Sequence, residues 1–130
     1  MSGRLLLYTH LLLWAALFPD RLSKKATQLM GDADNTLYFS TASIWEISIK
    51  LTRPRDDLEI DIRLWRSGLL DNGYHELSIT SVHAMSVRDL PDIHKDPFNC
   101  LLLAQAMRED LTLVTADAVL ASYPGPILKV

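Results

Sequence analysis

The sequence has one cysteine, no surplus of basic charge and no apolar run long enough to cross a bilayer. Each absence closes a class of explanation. Cys100 cannot form an internal disulfide. Its neighbours Leu101, Leu102 and Leu103 mark it as a small buried hydrophobe rather than a reactive thiol. A reducing cytoplasm suits such a chain. Thirteen Lys and Arg against sixteen Asp and Glu give a formal net charge of −3, which is not the signature of a general nucleic-acid binder. Any RNA contact must then use a local basic patch or a metal ion. The stretch from Leu5 to Phe18 is apolar, but Tyr8, Thr9 and His10 interrupt it. It is too short for a membrane span, and no small-residue cleavage site follows before Pro19-Asp20. A glycine-rich phosphate loop and a nucleophile elbow are both missing, which argues against an unrelated small α/β hydrolase.

What is present is an ordinary soluble composition, 48% hydrophobic and 22% charged over 130 residues, and it fits one domain spanning 1–130. A domain of this size buries roughly two thirds of the surface its unfolded chain exposes. Short apolar runs alternate with amphipathic stretches and imply α/β architecture. Strands are expected at Arg4–Tyr8, Thr36–Ser40, Tyr74–Ile79 and Leu111–Thr115, with an edge strand at Pro126–Val130. Between them the pattern predicts a helix capped by Thr9 and one capped by Ser23. Further helices are expected over Thr41–Leu51, over Asp61–Leu70, from Thr80, from Asp96-Pro97 to Glu109, and from Asp117. Arg53 to Asp57 reads as a charged turn.

Buried strands joined by helices imply a parallel sheet covered on both faces, and in such sheets sites form outside the carboxyl ends of the strands. Tyr8, Glu46, Asn99 and Asp117 fall there, with Asp96 near the same edge. Each acid also has a purely structural role open to it. Glu46 could complete a capping box with Ser43 or pair with Lys50 four residues on. Asp96 before Pro97 is a good helix cap, and Asp117 could complement a helix dipole.

Four segments carry a family resemblance. They are Leu5-Leu6-Leu7-Tyr8-Thr9-His10-Leu11-Leu12-Leu13-Trp14, Ser43-Ile44-Trp45-Glu46-Ile47-Ser48-Ile49-Lys50, His94-Lys95-Asp96-Pro97-Phe98-Asn99-Cys100-Leu101-Leu102-Leu103-Ala104-Gln105-Ala106 and Leu111-Thr112-Leu113-Val114-Thr115-Ala116-Asp117. In order and spacing they resemble the PIN-domain ribonuclease toxins of the VapC type. The resemblance implies a three-layer α/β/α sandwich around a central parallel sheet of four or five strands. It also implies a magnesium- or manganese-dependent endoribonuclease cutting transfer or ribosomal RNA, a homodimer, and a cognate antitoxin as partner. Glu46, Asp96 and Asp117 are the metal-binding acids it implies, and Thr115 joins them as a catalytic candidate. Carboxylates suit that chemistry because magnesium takes oxygen ligands and lowers the pKa of a bound water.

The sequence departs from the family pattern at two acid positions, where Tyr8 and Asn99 stand in place of aspartate. Asparagine keeps a carbonyl but loses the charge. Tyrosine is larger and stays protonated near neutral pH, with a reference pKa of about 10. Unit charges ~4 Å apart interact by roughly 4 kcal/mol at an effective dielectric of ~20, so two lost carboxylates should weaken metal binding severely. Two expectations stay open: a toxin impaired as a nuclease, and a catalytically dead module acting through antitoxin binding and repressor-complex formation.

The remaining candidates are weaker. His10, Lys50, His94 and Lys95 could approach a phosphate, and Arg53 and Arg55 could mark an RNA path beside Asp56 and Asp57. The resemblance gives the early helices an antitoxin groove, for which Trp14, Ile44 and Trp45 are the candidates, while Leu22 and Ile47 suit the core.

Overall fold

A computed structural model describes residues 3–51, 60–90 and 96–130. In chain order the elements are β1 (Arg4–Leu7), α1 (Thr9–Leu17), α2 (Lys24–Gly31), β2 (Thr36–Ser40), α3 (Thr41–Lys50) and α4 (Ile62–Asp71). There follow β3 (His75–Leu77), α5 (Ser81–Ser86), α6 (Pro97–Glu109), β4 (Thr112–Thr115), α7 (Ala118–Ala121) and β5 (Ile127–Lys129). Single 3₁₀ turns follow α1 at Pro19–Arg21 and α5 at Val87–Asp89.

The five strands form one sheet in the order β3-β2-β1-β4-β5, parallel throughout. Its centre is buried on both faces. Successive residues of a strand point to opposite sides, yet Leu5, Leu6 and Leu7 are all buried, as are Leu113, Val114 and Thr115. This is the expected sandwich with helices covering a parallel sheet. Phe39, Leu11, Leu12, Ile47, Leu102 and Leu103 fill the space between sheet and helices.

Local chemistry explains where most helices begin. Ser23 accepts the Ala26 N–H and starts α2, while Asp61 accepts the Arg63 and Leu64 N–H groups and starts α4. Thr80 and His83 cap α5 reciprocally. Two expectations need correction. Thr9 does not cap α1; it is the first helical residue, and its hydroxyl lies 2.8 Å from that of Ser43 on α3, both fully buried. Ser43 accordingly makes no capping box with Glu46, because α3 starts three residues earlier than such a box requires, with Ser40 as its cap. The third strand is also shorter than its alternating pattern, since only His75–Leu77 pairs with β2.

A buried polar chain ties α3 to α5 and α6. The Ser40 hydroxyl donates to the Gln105 carbonyl oxygen, and the Gln105 amide lies 3.4 Å from His83 Nδ1. That nitrogen also accepts the Thr80 N–H, so His83 Nε2 is left to donate to Glu109, 2.8 Å away. Such a chain is costly unless every member is satisfied, and here its partners fix the register of three helices.

Candidate functional site

The strand order reverses between β1 and β4, where Leu7 stands opposite Val114. A crevice opens at such a switch point, outside the carboxyl ends of the two strands. Tyr8 leaves β1 there. Its N–H continues the ladder to the Val114 carbonyl at 2.9 Å, and its extended backbone turns the chain into α1.

Four other residues reach the same place by local devices. Asp117 follows β4 and caps α7, accepting the N–H groups of Val119 and Leu120 at 2.8 and 3.2 Å. Its own N–H donates to the hydroxyl of the fully buried Thr115 at 3.0 Å. Thr115 thus aims Asp117; the helix cap itself is Asp117. Asp96 caps α6 by accepting the Phe98 N–H at 2.9 Å, with Pro97 at the first helical position. Asn99 is buried in the first turn of α6. Glu46 lies on α3, held against α1 by the Thr9–Ser43 contact.

The electrostatics join these groups. Tyr8 is buried and hydrogen-bonded to the side chain of Asn99. Burial above all, aided by the charges of Glu46, Asp117 and Asp96 and opposed by the Asn99 hydrogen bond, pushes its phenol up to about 12. Tyr8 is therefore neutral at any physiological pH, and all three acids lie within electrostatic reach of it. Its ring stacks obliquely on His10, 5.2 Å away between centroids, and His10 continues to Trp14 at 6.0 Å. Burial lowers the His10 pKa, helped by Lys50 and opposed by Glu46, Asp117 and Asp96.

Glu46 is only 2% exposed, and its Oε2 accepts a hydrogen bond from Lys50 Nζ at 2.9 Å. Its Oε1 is buried with no hydrogen-bond partner among the described residues. An orphaned carboxylate oxygen is what a cation site would leave behind. The rest of the donor set does not follow it. Among the described residues no three His, Cys, Asp or Glu side chains are grouped so as to hold one metal ion. Asp96 and Asp117 are engaged as helix caps, and a neutral phenol and a carboxamide stand at the two other expected acid positions. Magnesium, which wants near-octahedral oxygen ligands and gains most from carboxylates, does not fit this arrangement as built.

Of the other expected residues, Lys50 and Trp14 border the site through Glu46 and His10. Ile44 is half-buried against the core, Trp14 is half-buried beside His10, and Trp45 is 55% exposed with its ring edge-on to Phe98 at 5.0 Å. Lys50 pairs with Glu46, while Arg53, Arg55, His94 and Lys95 lie outside the described residues. None of Trp14, Ile44 and Trp45 lines a groove of about 480 Å³ between α1 and α4. Its walls are Leu12, Ala15 and Ala16 on one side and Leu64, Trp65 and Gly68 on the other. The sequence signal for it was a glycine in the middle of α4, four residues after an apolar residue with no place in the core pattern. No helix among the described residues is long and apolar enough to cross a membrane.

Residues 5–126 match the sequence profile of the PIN domain. The chain is 31% identical over 122 residues to ribonuclease VapC22 of Mycobacterium tuberculosis (strain ATCC 25618 / H37Rv), an alignment covering 93% of this chain and 92% of that protein. Its fold is similar to the crystal structure of VapBC2 from Rickettsia felis bound to a DNA fragment from their promoter, with a TM-score of 0.70 at 13% identity, covering 97% and 98% of the two chains. It is also similar to a toxin–antitoxin complex from Klebsiella pneumoniae, with a TM-score of 0.60 at 16% identity and 95% of each chain covered.

Proposed function

Because the chain belongs to the PIN-domain family, we propose that it is a VapC-like toxin of a type II toxin–antitoxin pair whose nuclease centre is impaired. PIN ribonucleases are generally dependent on a divalent metal, magnesium or manganese in this reading. The chain's partners are a cognate antitoxin, an RNA substrate of the transfer or ribosomal class, and a second copy of itself in a cytoplasmic homodimer. One observation carries the impairment: Tyr8 and Asn99 stand at the two expected acid positions and are hydrogen-bonded to each other. Glu46, Asp96 and Asp117 remain to attract a cation, but with two fewer charges and a phenol among them. Metal affinity falls, and RNA cleavage falls with it, since the metal activates the attacking water and offsets phosphate charge.

The test compares this chain with the Tyr8→Asp/Asn99→Asp double revertant for magnesium and manganese affinity and for cleavage of total transfer and ribosomal RNA. Weak binding and weak cleavage by the chain, with both restored in the revertant, support the proposal. Strong cleavage by the chain as it stands sinks it.

A second reading is a catalytically dead module that binds antitoxin and holds a repressor complex on DNA. That no three ligand-type side chains are grouped among the described residues favours it. So does the similarity to the Rickettsia felis VapBC2 assembly, which was captured on promoter DNA. Expression without antitoxin separates the two: growth arrest supports the impaired toxin, and normal growth supports the dead module.

A further inference from the structure

We infer that Trp45, braced by Phe98, is a stacking shelf for an unpaired base of single-stranded RNA at the rim of the candidate site. This rests on the RNA reading above. It adds which side chain holds the nucleic acid, and that the grip is on a base rather than on its phosphates.

Trp45 is the starting point. Tryptophan is highly buried on average in folded proteins, yet this one is 55% exposed. Its place follows from its neighbours on α3. Glu46, the next residue, is buried with one carboxylate oxygen unmatched. Successive helix residues lie about 100° apart around the axis, so the Trp45 ring leaves α3 on the solvent side of that carboxylate. Phe98 reaches the same rim from the first turn of α6, where its N–H is held by Asp96 at 2.9 Å and the next residue is the buried Asn99. The two rings are 5.0 Å apart between centroids and meet at 74°. At that angle they cannot stack on each other. Phe98 fixes the indole by an edge contact, and Trp45 keeps a broad face toward solvent. The shelf therefore stands one residue from Glu46 on one helix and one residue from Asn99 on the other.

Size and charge select the occupant. On α3 Trp45 is the sole exposed large apolar side chain, and on α6 its exposed counterpart is Met107, at the far end of that helix. Two rings make a platform far smaller than the ~800 Å² per partner that a specific protein interface buries. A single planar base covers it. The crevice beside the shelf carries the acids Glu46, Asp96 and Asp117, and the Lys50 ammonium is paired with Glu46 at 2.9 Å. With a net charge of −3 on the whole chain, little is left to draw phosphates in. Stacking needs no charge of either sign, and unpaired RNA bases splay out onto aromatic side chains in this way. An RNA strand anchored at Trp45 has its adjoining phosphate beside the acids, where a nuclease of this fold would need it.

The test measures binding of the full chain, in EDTA, to labelled oligoadenylate and to an abasic ribose-phosphate oligomer of the same length. Oligoadenylate should bind about tenfold more tightly, and Trp45→Ala should abolish that preference. Trp45→Phe should keep most of it, because a smaller ring still stacks. The preference should be the same at low and high salt, unlike a phosphate contact. Indole emission should be quenched by oligoadenylate in the chain and not in Trp45→Phe, which retains Trp14 and Trp65. Equal binding of the two oligomers by the unsubstituted chain, or a base preference that survives Trp45→Ala, overturns the inference and leaves the RNA reading intact. Binding of neither oligomer, in EDTA or in magnesium, overturns both. If Trp45→Ala dissociates a self-associated chain while the base preference persists, a second copy covers the shelf and the inference falls.

Discussion

Tyr8 and Asn99 lie 91 positions apart in sequence and are hydrogen-bonded to each other in the fold. The two departures from the acidic pattern are therefore one local change. A phenol and a carboxamide hydrogen-bond to each other where two carboxylates would repel in the absence of metal.

The first prediction concerns stability without metal. In the presence of EDTA the Tyr8→Asp/Asn99→Asp double revertant should melt below this chain. It loses a buried ring, Tyr8 being 5% exposed, and adds two charges beside Glu46, Asp96 and Asp117. The ring alone costs about 3–5 kcal/mol by analogy with other buried aromatic truncations. Magnesium should recover part of the difference in the revertant and none in the chain as it stands. A revertant that melts higher in EDTA would remove the argument.

Alkaline pH should read the Tyr8 environment directly. Its phenol is raised to about 12 against an unfolded value of about 10. The folded state holds the proton more tightly, so the stabilisation is fully present below pH ~10 and is lost as pH rises toward ~12. The loss amounts to roughly 2–3 kcal/mol. Tyr74, also raised by burial, contributes in the same direction. Denaturant titrations across this window should therefore be steeper for the chain than for Tyr8→Phe. Equal slopes would place Tyr8 in water rather than in the crevice.

Lys50 and Glu46 should be unequal partners. Lys50 is partly exposed, whereas the Glu46 carboxylate is buried. Lys50→Ala leaves that charge without its 2.9 Å cation and should destabilise by roughly 1–3 kcal/mol, a figure reduced by the exposure of the lysine. Glu46→Gln removes the charge itself and should cost less. Chemical denaturation of both variants decides the order, and a costlier Glu46→Gln would contradict the account.

Gly68→Ala should stabilise the isolated chain by about 0.5–1 kcal/mol, because the added methyl meets open space and alanine is the better helix former. The expected gain in melting temperature is roughly 2–5 °C. A loss would mean that the α1–α4 groove is tighter than its geometry.

The sequence was legible wherever the signal is local. Ser23, Asp61, Thr80, Asp96 and Asp117 each start a helix through hydrogen bonds to N–H groups two or three residues on. The unbroken apolar runs of β1 and β4 announced a sheet covered on both sides. The acids of the candidate site were found because parallel sheets place their crevice at the strand ends. Thr9 and Ser43 misled for the opposite reason. Each has the chemistry of a cap, but a partner 34 positions away takes both hydroxyls, and nothing in the neighbouring residues records that contact. The α1–α4 groove was missed likewise, since Leu64 and Gly68 look unremarkable until the fold leaves the space beside them empty.

What the sequence determined by itself was the order of elements, most of their boundaries and the family pattern with its two exceptions. These follow from periodicity and capping, which act over three or four residues. Only the tertiary structure decided that Tyr8 and Asn99 meet, that Glu46 is buried with one oxygen unmatched, and that α1 and α4 stand apart around a groove. Those facts depend on strand order and helix packing, which bring distant residues together without leaving any local mark.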